Sequence, residues 1–238
     1  MKYFLVISFL FIVGSVIGWV IELIFRRLFT AKKWINPGFL VGPYLPLYGF
    51  GLCILFGLNL IDISFITSQY WLQVIIKIAF MTIIMTVVEY IAGLIFIKGM
   101  NIKLWDYSKR KGNIQGIICP LFTLFWAAIA ALYVLLIHDV VYSWVEWFDN
   151  NIVFSFFVGI VLGSMIVDFA YSINLASKIK MYAKEKKIIV HYENFKASIA
   201  AKFNELKEKR KFWLAFKPFS TLKDSFENYI ETLKDKVK

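Results

Sequence analysis

The chain has 238 residues, 60% hydrophobic and 18% charged, with a mean hydropathy of +0.68. A soluble domain carries about 45–50% apolar residues and about 25% charged ones, so this is the composition of a membrane protein, and it excludes a disordered chain, a nucleic-acid module and a secreted disulfide scaffold. The formal charge of +11 is unevenly placed: residues 178–238 hold 16 of the 27 Lys+Arg and 8 of the 16 Asp+Glu, leaving +8 in a basic tail and +3 in an apolar body.

A helix needs roughly 20 predominantly apolar residues to cross the hydrocarbon core. Five stretches meet this, near 3–25, 39–61, 71–97, 114–137 and 152–175, and predict an all-α, polytopic bundle over 1–177. The first stretch is too long for a secretory signal, contains Glu22 and is followed by no small-x-small cleavage site, so it reads as a retained helix. The second contains Pro43, Pro46, Gly38, Gly42, Gly49 and Gly51 within fourteen residues. Each proline removes an N–H and clashes with the carbonyl four residues back, which predicts a broken or re-entrant start lining a cavity, or a Pro-kinked packing helix.

Lys and Arg are held on the cytoplasmic side of short loops. The first loop has Arg26, Arg27, Lys32 and Lys33, and the third has Lys98, Lys103, Lys109, Arg110 and Lys111. The second (62–70) and fourth (138–151) have none, and carry Asp62, Asp139, Glu146 and Asp149 instead. This pattern predicts an extracytoplasmic N-terminus and a cytoplasmic C-terminus, with Trp71, Trp144 and Trp147 at the outer interface and Trp34 and Trp105 at the inner one.

The tail, 178–238, has helical periodicity in two pieces. Phe195, Ile199, Phe203 and Leu206 share one face; Leu222, Phe226, Ile230, Leu233 and Val237 share another. Between them Phe212-Trp213-Leu214-Ala215-Phe216 lies among Lys209, Arg210, Lys211 and Lys217. That combination suits an anionic leaflet, and a helical hairpin folded on itself or on the loops explains it equally well.

A charge at the centre of a spanning helix costs about 2.5–3.5 kcal/mol on insertion scales. Glu22 can pair with Arg26 one turn away, and Lys77 can snorkel to the surface. Glu89 and Asp168 are too deep to escape, which favours a functional or inter-helix role. Asp106 and Ser108 could cap a turn, yet Glu22, Asn36, the Gly/Pro segment, Glu89, Trp105, Asp106, Asn113, Gln115 and Asp168 all map to the cytoplasmic half, where one inward-facing polar cavity would account for most of them. Gly14-x-x-x-Gly18 and Gly159-x-x-x-Gly163 predict close helix packing. A parallel between Glu22…Asn36-x-Gly38…Pro43 and Glu89…Asn113-x-x-Gly116…Pro120 has unequal spacings and is read as coincidence.

No phosphate-binding Gly-rich loop is present, His138 and His191 are far apart in the chain, and Cys53 and Cys119 lack metal-ligand spacing. No cofactor is expected, and no His/Cys metal site; carboxylates alone could still hold Mg²⁺.

Gly18-Trp19-x-x-Glu22, Asn36-x-Gly38-Phe39-Leu40-x-Gly42-Pro43-x-x-Pro46-x-Tyr48-Gly49-x-Gly51, Glu89-Tyr90-x-x-Gly93, Trp105-Asp106-Tyr107-Ser108 and Asn113-x-x-Gly116 occur in that order. Over roughly residues 10–135 the string resembles the ABC-transporter type IV, or CmpB-like, family. Where that family usually has a basic residue after the loop Asn, this chain has Pro37. The resemblance implies a bacterial, multi-pass permease component served by a separate ATPase docked on the cytoplasmic loops. The same cavity would also suit an enzyme acting on a lipid or amphipathic substrate, and a structural or regulatory subunit is the third reading. The expected site is Glu22, Asn36, Tyr48, Glu89, Trp105, Asp106 and Asn113. Its partners would be the bilayer, the ATPase and anionic lipid at the tail, with no nucleic acid.

Overall fold

The helices α1 (Lys2–Phe25), α2 (Pro46–Asn59), α3 (Tyr70–Met100), α4 (Pro120–Leu132), α5 (His138–Asn150) and α6 (Ser155–Glu185) follow one another along the chain, with a two-residue strand pair, β1 (Ile102–Lys103) and β2 (Val190–His191). The structure, a computed structural model, describes residues 2–30, 36–185 and 189–199 apart from 193 and 197. Its contacts divide into two units, Met1–Ile95 with Asp106–Leu175, and Phe96–Trp105 with the described residues from Ala176 onward.

Among the described residues, four helical stretches are long and apolar enough to cross a membrane: Lys2–Phe29, Tyr70–Met100, Pro120–Asn150 and Ile152–Glu185. The second predicted span differs. Residues 36–45 are non-helical, and α2 begins at Pro46, where the ring's fixed φ suits a first helical position. Its 14 residues reach about 21 Å, short of the roughly 30 Å hydrocarbon core.

The predicted start of the fourth span at 114 is also corrected. Gln115 and Gly116 have φ of +55° and +69°, outside the helical region, and the helix waits for Pro120. The predicted fourth loop is instead helical. A π-helical turn, Tyr133–Ile137, joins α4 to α5, and Val141 and Phe148 on α5 are buried at a seven-residue spacing. Helical periodicity thus continues through a segment whose Asp139, Glu146 and Asp149 had suggested a loop. The final span runs on without a break to Glu185, past the expected start of the tail.

In the first unit the buried faces meet in a cluster of Leu10, Leu55, Phe56, Met81, Met85, Trp126, Ala130, Tyr133 and Val141. On α3 the inward stripe is Val74, Met81, Met85, Glu89 and Gly93, while Ile75, Ile83, Val87, Ile91 and Ile95 are exposed, as expected of a helix between protein and lipid. Helices α1 and α2 run antiparallel in close contact. A Cβ on Gly14 would lie 2.8 Å from the Leu52 Cβ, and one on Gly18 would collide with the Tyr48 ring, so this small-residue pair does its predicted packing job. Gly159 and Gly163 on α6 have no neighbour within 4 Å, so the second pair packs against nothing among the described residues. Lys2 pairs with Asp149 at 2.6 Å, and Phe9 stacks on Phe148 at 4.7 Å, joining the start of α1 to the end of α5.

In the second unit β1 and β2 pair in parallel, Ile102 with Val190 and Lys103 with His191. Ile102, Ala176, Ile179, Ala183, Val190 and Phe195 form its buried interior. Phe195 thus faces inward as the tail periodicity predicts; Phe203, Leu206, the second amphipathic face and the Phe212–Phe216 segment lie outside the described residues, as do Lys32, Lys33 and Trp34.

Candidate functional site

Glu89 lies on the inward stripe of α3, one turn before Gly93, and is 5% exposed. An isolated carboxylate there would carry a large desolvation cost, so its partners decide what it can do. The Tyr107 hydroxyl donates to Oε1 at 3.1 Å, and the Trp126 indole N–H donates to Oε2 at 2.8 Å. Both donors are neutral.

Tyr107 reaches Glu89 because the residues after it fold back on themselves. Its N–H donates to the Gly116 carbonyl at 2.8 Å, and its ring stacks on Phe122 of α4 at 4.1 Å. Burial, reinforced by the Glu89 carboxylate, pushes the Tyr107 hydroxyl well above its ordinary range. It therefore keeps its proton and remains a donor. Gly116 is required at its position: φ is +69°, and a Cβ would lie 2.8 Å from the Asp106 carboxylate and against the Ser108 hydroxyl.

Glu22 is in a different electrostatic state. Its Oε1 accepts from Arg26 Nε at 2.8 Å, in the predicted one-turn ion pair, and its Oε2 accepts from the Tyr48 hydroxyl at 3.1 Å. The Tyr48 ring in turn lies 6.1 Å from the Trp126 ring. Glu22, Tyr48, Trp126, Glu89 and Tyr107 thus form one connected network of two carboxylates and three aromatic donors.

Asn36 and Asp168 organise the non-helical segment leading into α2. The Asn36 Oδ1 accepts from the Trp19 indole at 2.9 Å and from the Gly38 N–H at 3.1 Å. Its Nδ2 donates to the Leu40 and Val41 carbonyls at 3.2 and 2.8 Å. Asp168, from α6, accepts the Val41 and Gly42 N–H groups at 3.1 and 2.7 Å, the Tyr44 hydroxyl at 2.8 Å and the Ser172 hydroxyl at 3.1 Å. Irregular backbone survives at membrane depth when its polar groups find such partners. Asp168 thus ties α6 to the segment that leads into α2.

Of the expected site residues, Glu22, Tyr48 and Glu89 come together in the network. Asn36 lies in the connecting segment, joined to α1 through Trp19. Asp106 and Asn113 do local work: Asp106 accepts from the Ser108 N–H and hydroxyl at 3.0 and 2.5 Å, and Asn113 binds the Ser108 and Arg110 carbonyls and the Gly116 N–H. Trp105 belongs to the second unit. Tyr107 and Trp126 were not among the expected site residues. For Trp126 the available signal was an indole N–H within an apolar helix, where it needs an acceptor.

No group of three or more His, Cys, Asp or Glu is arranged to hold a metal ion among the described residues. Cys53 and Cys119 are free thiols. The profile of a family described as Putative ABC-transporter type IV matches residues 9–173, a stretch that contains the whole network and the segment held by Asp168. No curated protein and no solved structure matches the chain. With four apolar helices able to cross a membrane and the family profile over most of its length, the chain is a membrane protein of the putative ABC-transporter type IV family.

Proposed function

We propose that the chain is a permease-like transport component whose central site is the Glu22–Tyr48–Trp126–Glu89–Tyr107 network, with Glu89 as the group that takes a proton or a small cation. The observation that carries this reading is the charge imbalance. Glu22 has Arg26, whereas Glu89 is buried with two neutral donors, so the network holds two carboxylates and one paired cation. Ionisable groups kept inside a bundle at this cost are characteristic of ion and proton pathways. The irregular segment 36–45 supports the same reading, since its polar backbone lies next to α1 and α6, where a substrate passing the inner half would meet it.

The loop charges support an extracytoplasmic N-terminus, with Arg26, Lys109, Arg110 and Lys111 at the cytoplasmic end. Cysteines placed at Asp62 and Glu146 are then expected to react with an impermeant reagent from outside, and one at Lys109 from inside; the reverse overturns the orientation. The family relationship supports a separate ATPase as partner, because this chain has no phosphate-binding loop of its own. Purification from native membranes tests the role. A stoichiometric ATPase and Glu89-dependent flux are expected; turnover of a lipid by the chain alone overturns transport.

A further inference from the structure

The α3–α4 connection carries Lys109, Arg110 and Lys111 in succession, all three exposed and none in an ion pair among the described residues. The backbone holds this triplet in a closed ring. The Arg110 N–H donates to the Tyr107 carbonyl at 2.8 Å, and the Tyr107 N–H closes on Gly116 at 2.8 Å. Asn113 spans the interior, its Nδ2 donating to the Ser108 and Arg110 carbonyls at 3.2 and 2.8 Å and its Oδ1 accepting the Gly116 N–H at 3.0 Å. Ile114, on the same ring, is 52% exposed. Three cations beside one exposed alkyl side chain, next to a membrane-spanning helix, match the phosphate layer and the acyl boundary beneath it. A soluble acidic protein would give Ile114 no comparable place.

The ring also begins at the residue that holds Glu89. Tyr107 donates its backbone N–H to the ring closure and its hydroxyl to Glu89 at 3.1 Å. Tyr107 thus links the basic tip directly to the buried carboxylate.

We propose that the 107–116 ring binds an anionic phospholipid headgroup and that its occupancy fixes Tyr107 on Glu89, making the central site responsive to the lipid composition of the leaflet. The regulatory half rests on the reading of Glu89 given above; the headgroup site does not.

The test uses the full chain in nanodiscs of phosphatidylcholine alone or mixed with phosphatidylglycerol, and reads by peptide mass spectrometry the fraction of Glu89 modified by a hydrophobic carbodiimide. Phosphatidylglycerol is expected to lower modification by about fivefold, the factor that corresponds to roughly 1 kcal/mol of attraction at an anionic surface. Lys109→Gln, Arg110→Gln and Lys111→Gln together are expected to remove that response, and Tyr107→Phe to remove it while phosphatidylglycerol is still retained in native mass spectrometry. Modification indifferent to phosphatidylglycerol, or an unchanged response in the triple variant, overturns the proposal. So does inorganic phosphate reproducing the effect in phosphatidylcholine discs, which would make the ligand a free anion. Flux that survives Glu89→Gln, with the lipid response of Glu89 intact in the parent chain, would instead count against the transport reading alone.

Discussion

The α1–α2 pair and the α3–α4 pair share several sequence and hydrogen-bond features and differ in the charge beside the glutamate. In each, the first helix carries a glutamate (Glu22, Glu89), the connection carries an asparagine whose Oδ1 accepts a glycine N–H (Asn36 to Gly38, Asn113 to Gly116), and the second helix opens on a proline after an extended residue (Leu45-Pro46, Cys119-Pro120). In each, an aromatic residue of the second helix donates to the glutamate of the first, Tyr48 to Glu22 and Trp126 to Glu89. The unequal sequence spacings had made this parallel look accidental, and the hydrogen bonds give it physical content. The difference is Arg26. It neutralises Glu22 in a partly exposed pair, while among the described residues no cation pairs with Glu89, which is buried. The glutamate of the first pair has a cation beside it, and that of the second has two neutral donors, which is the contrast the proposed function rests on.

Substitutions in the two hairpins should separate these roles. The largest effect is expected from Gly18→Leu, which drives a side chain into the Tyr48 ring; overpacking of this kind costs about 1–3 kcal/mol or more, read as a lowered thermal midpoint in detergent. Trp126→Phe is expected to cost about 1–3 kcal/mol by leaving a buried carboxylate oxygen without its donor. The corresponding Tyr48→Phe is expected to cost only about 0.6 kcal/mol, the average for hydrogen bonds between membrane helices, because Glu22 keeps Arg26. Equal costs for these last two variants would break the contrast between the hairpins. Arg26→Gln removes an i, i+4 pair worth about 0.3–0.5 kcal/mol, and its main expected effect is on flux, since Glu22 then resembles Glu89.

Much of this was legible in the residues because bilayer physics is restrictive. Twenty-residue apolar runs, the interruption at Pro43 and Pro46 and the depth of Glu89 each leave few alternatives. Boundaries failed where apolar composition and backbone geometry diverged. Ile114, Ile117 and Ile118 looked like the start of a helix, but the left-handed backbone at Gln115 and Gly116 precedes Pro120 and delays it. Asp139, Glu146 and Asp149 looked like a loop, yet Val141 and Phe148 keep α5 packed on the bundle. Of the expected site residues, Glu22, Tyr48 and Glu89 share one network. The expected site missed Tyr107 and Trp126 because carboxylates draw attention on cost alone, whereas a neutral donor becomes visible only once its acceptor has a position.

The most direct measurement compares two carboxylates of the expected site. Asp106 is exposed and occupied with Ser108, whereas Glu89 is buried with two neutral donors. In proteoliposomes under an imposed membrane potential, Glu89→Gln is expected to lower proton or cation flux about tenfold or more, the factor that corresponds to a charge-assisted interaction of about 1.5–3 kcal/mol, with the thermal midpoint retained. Asp106→Asn is expected to leave flux within about twofold of the parent, as befits a turn residue. Flux that survives Glu89→Gln but is lost in Asp106→Asn would contradict the assignment of the central site.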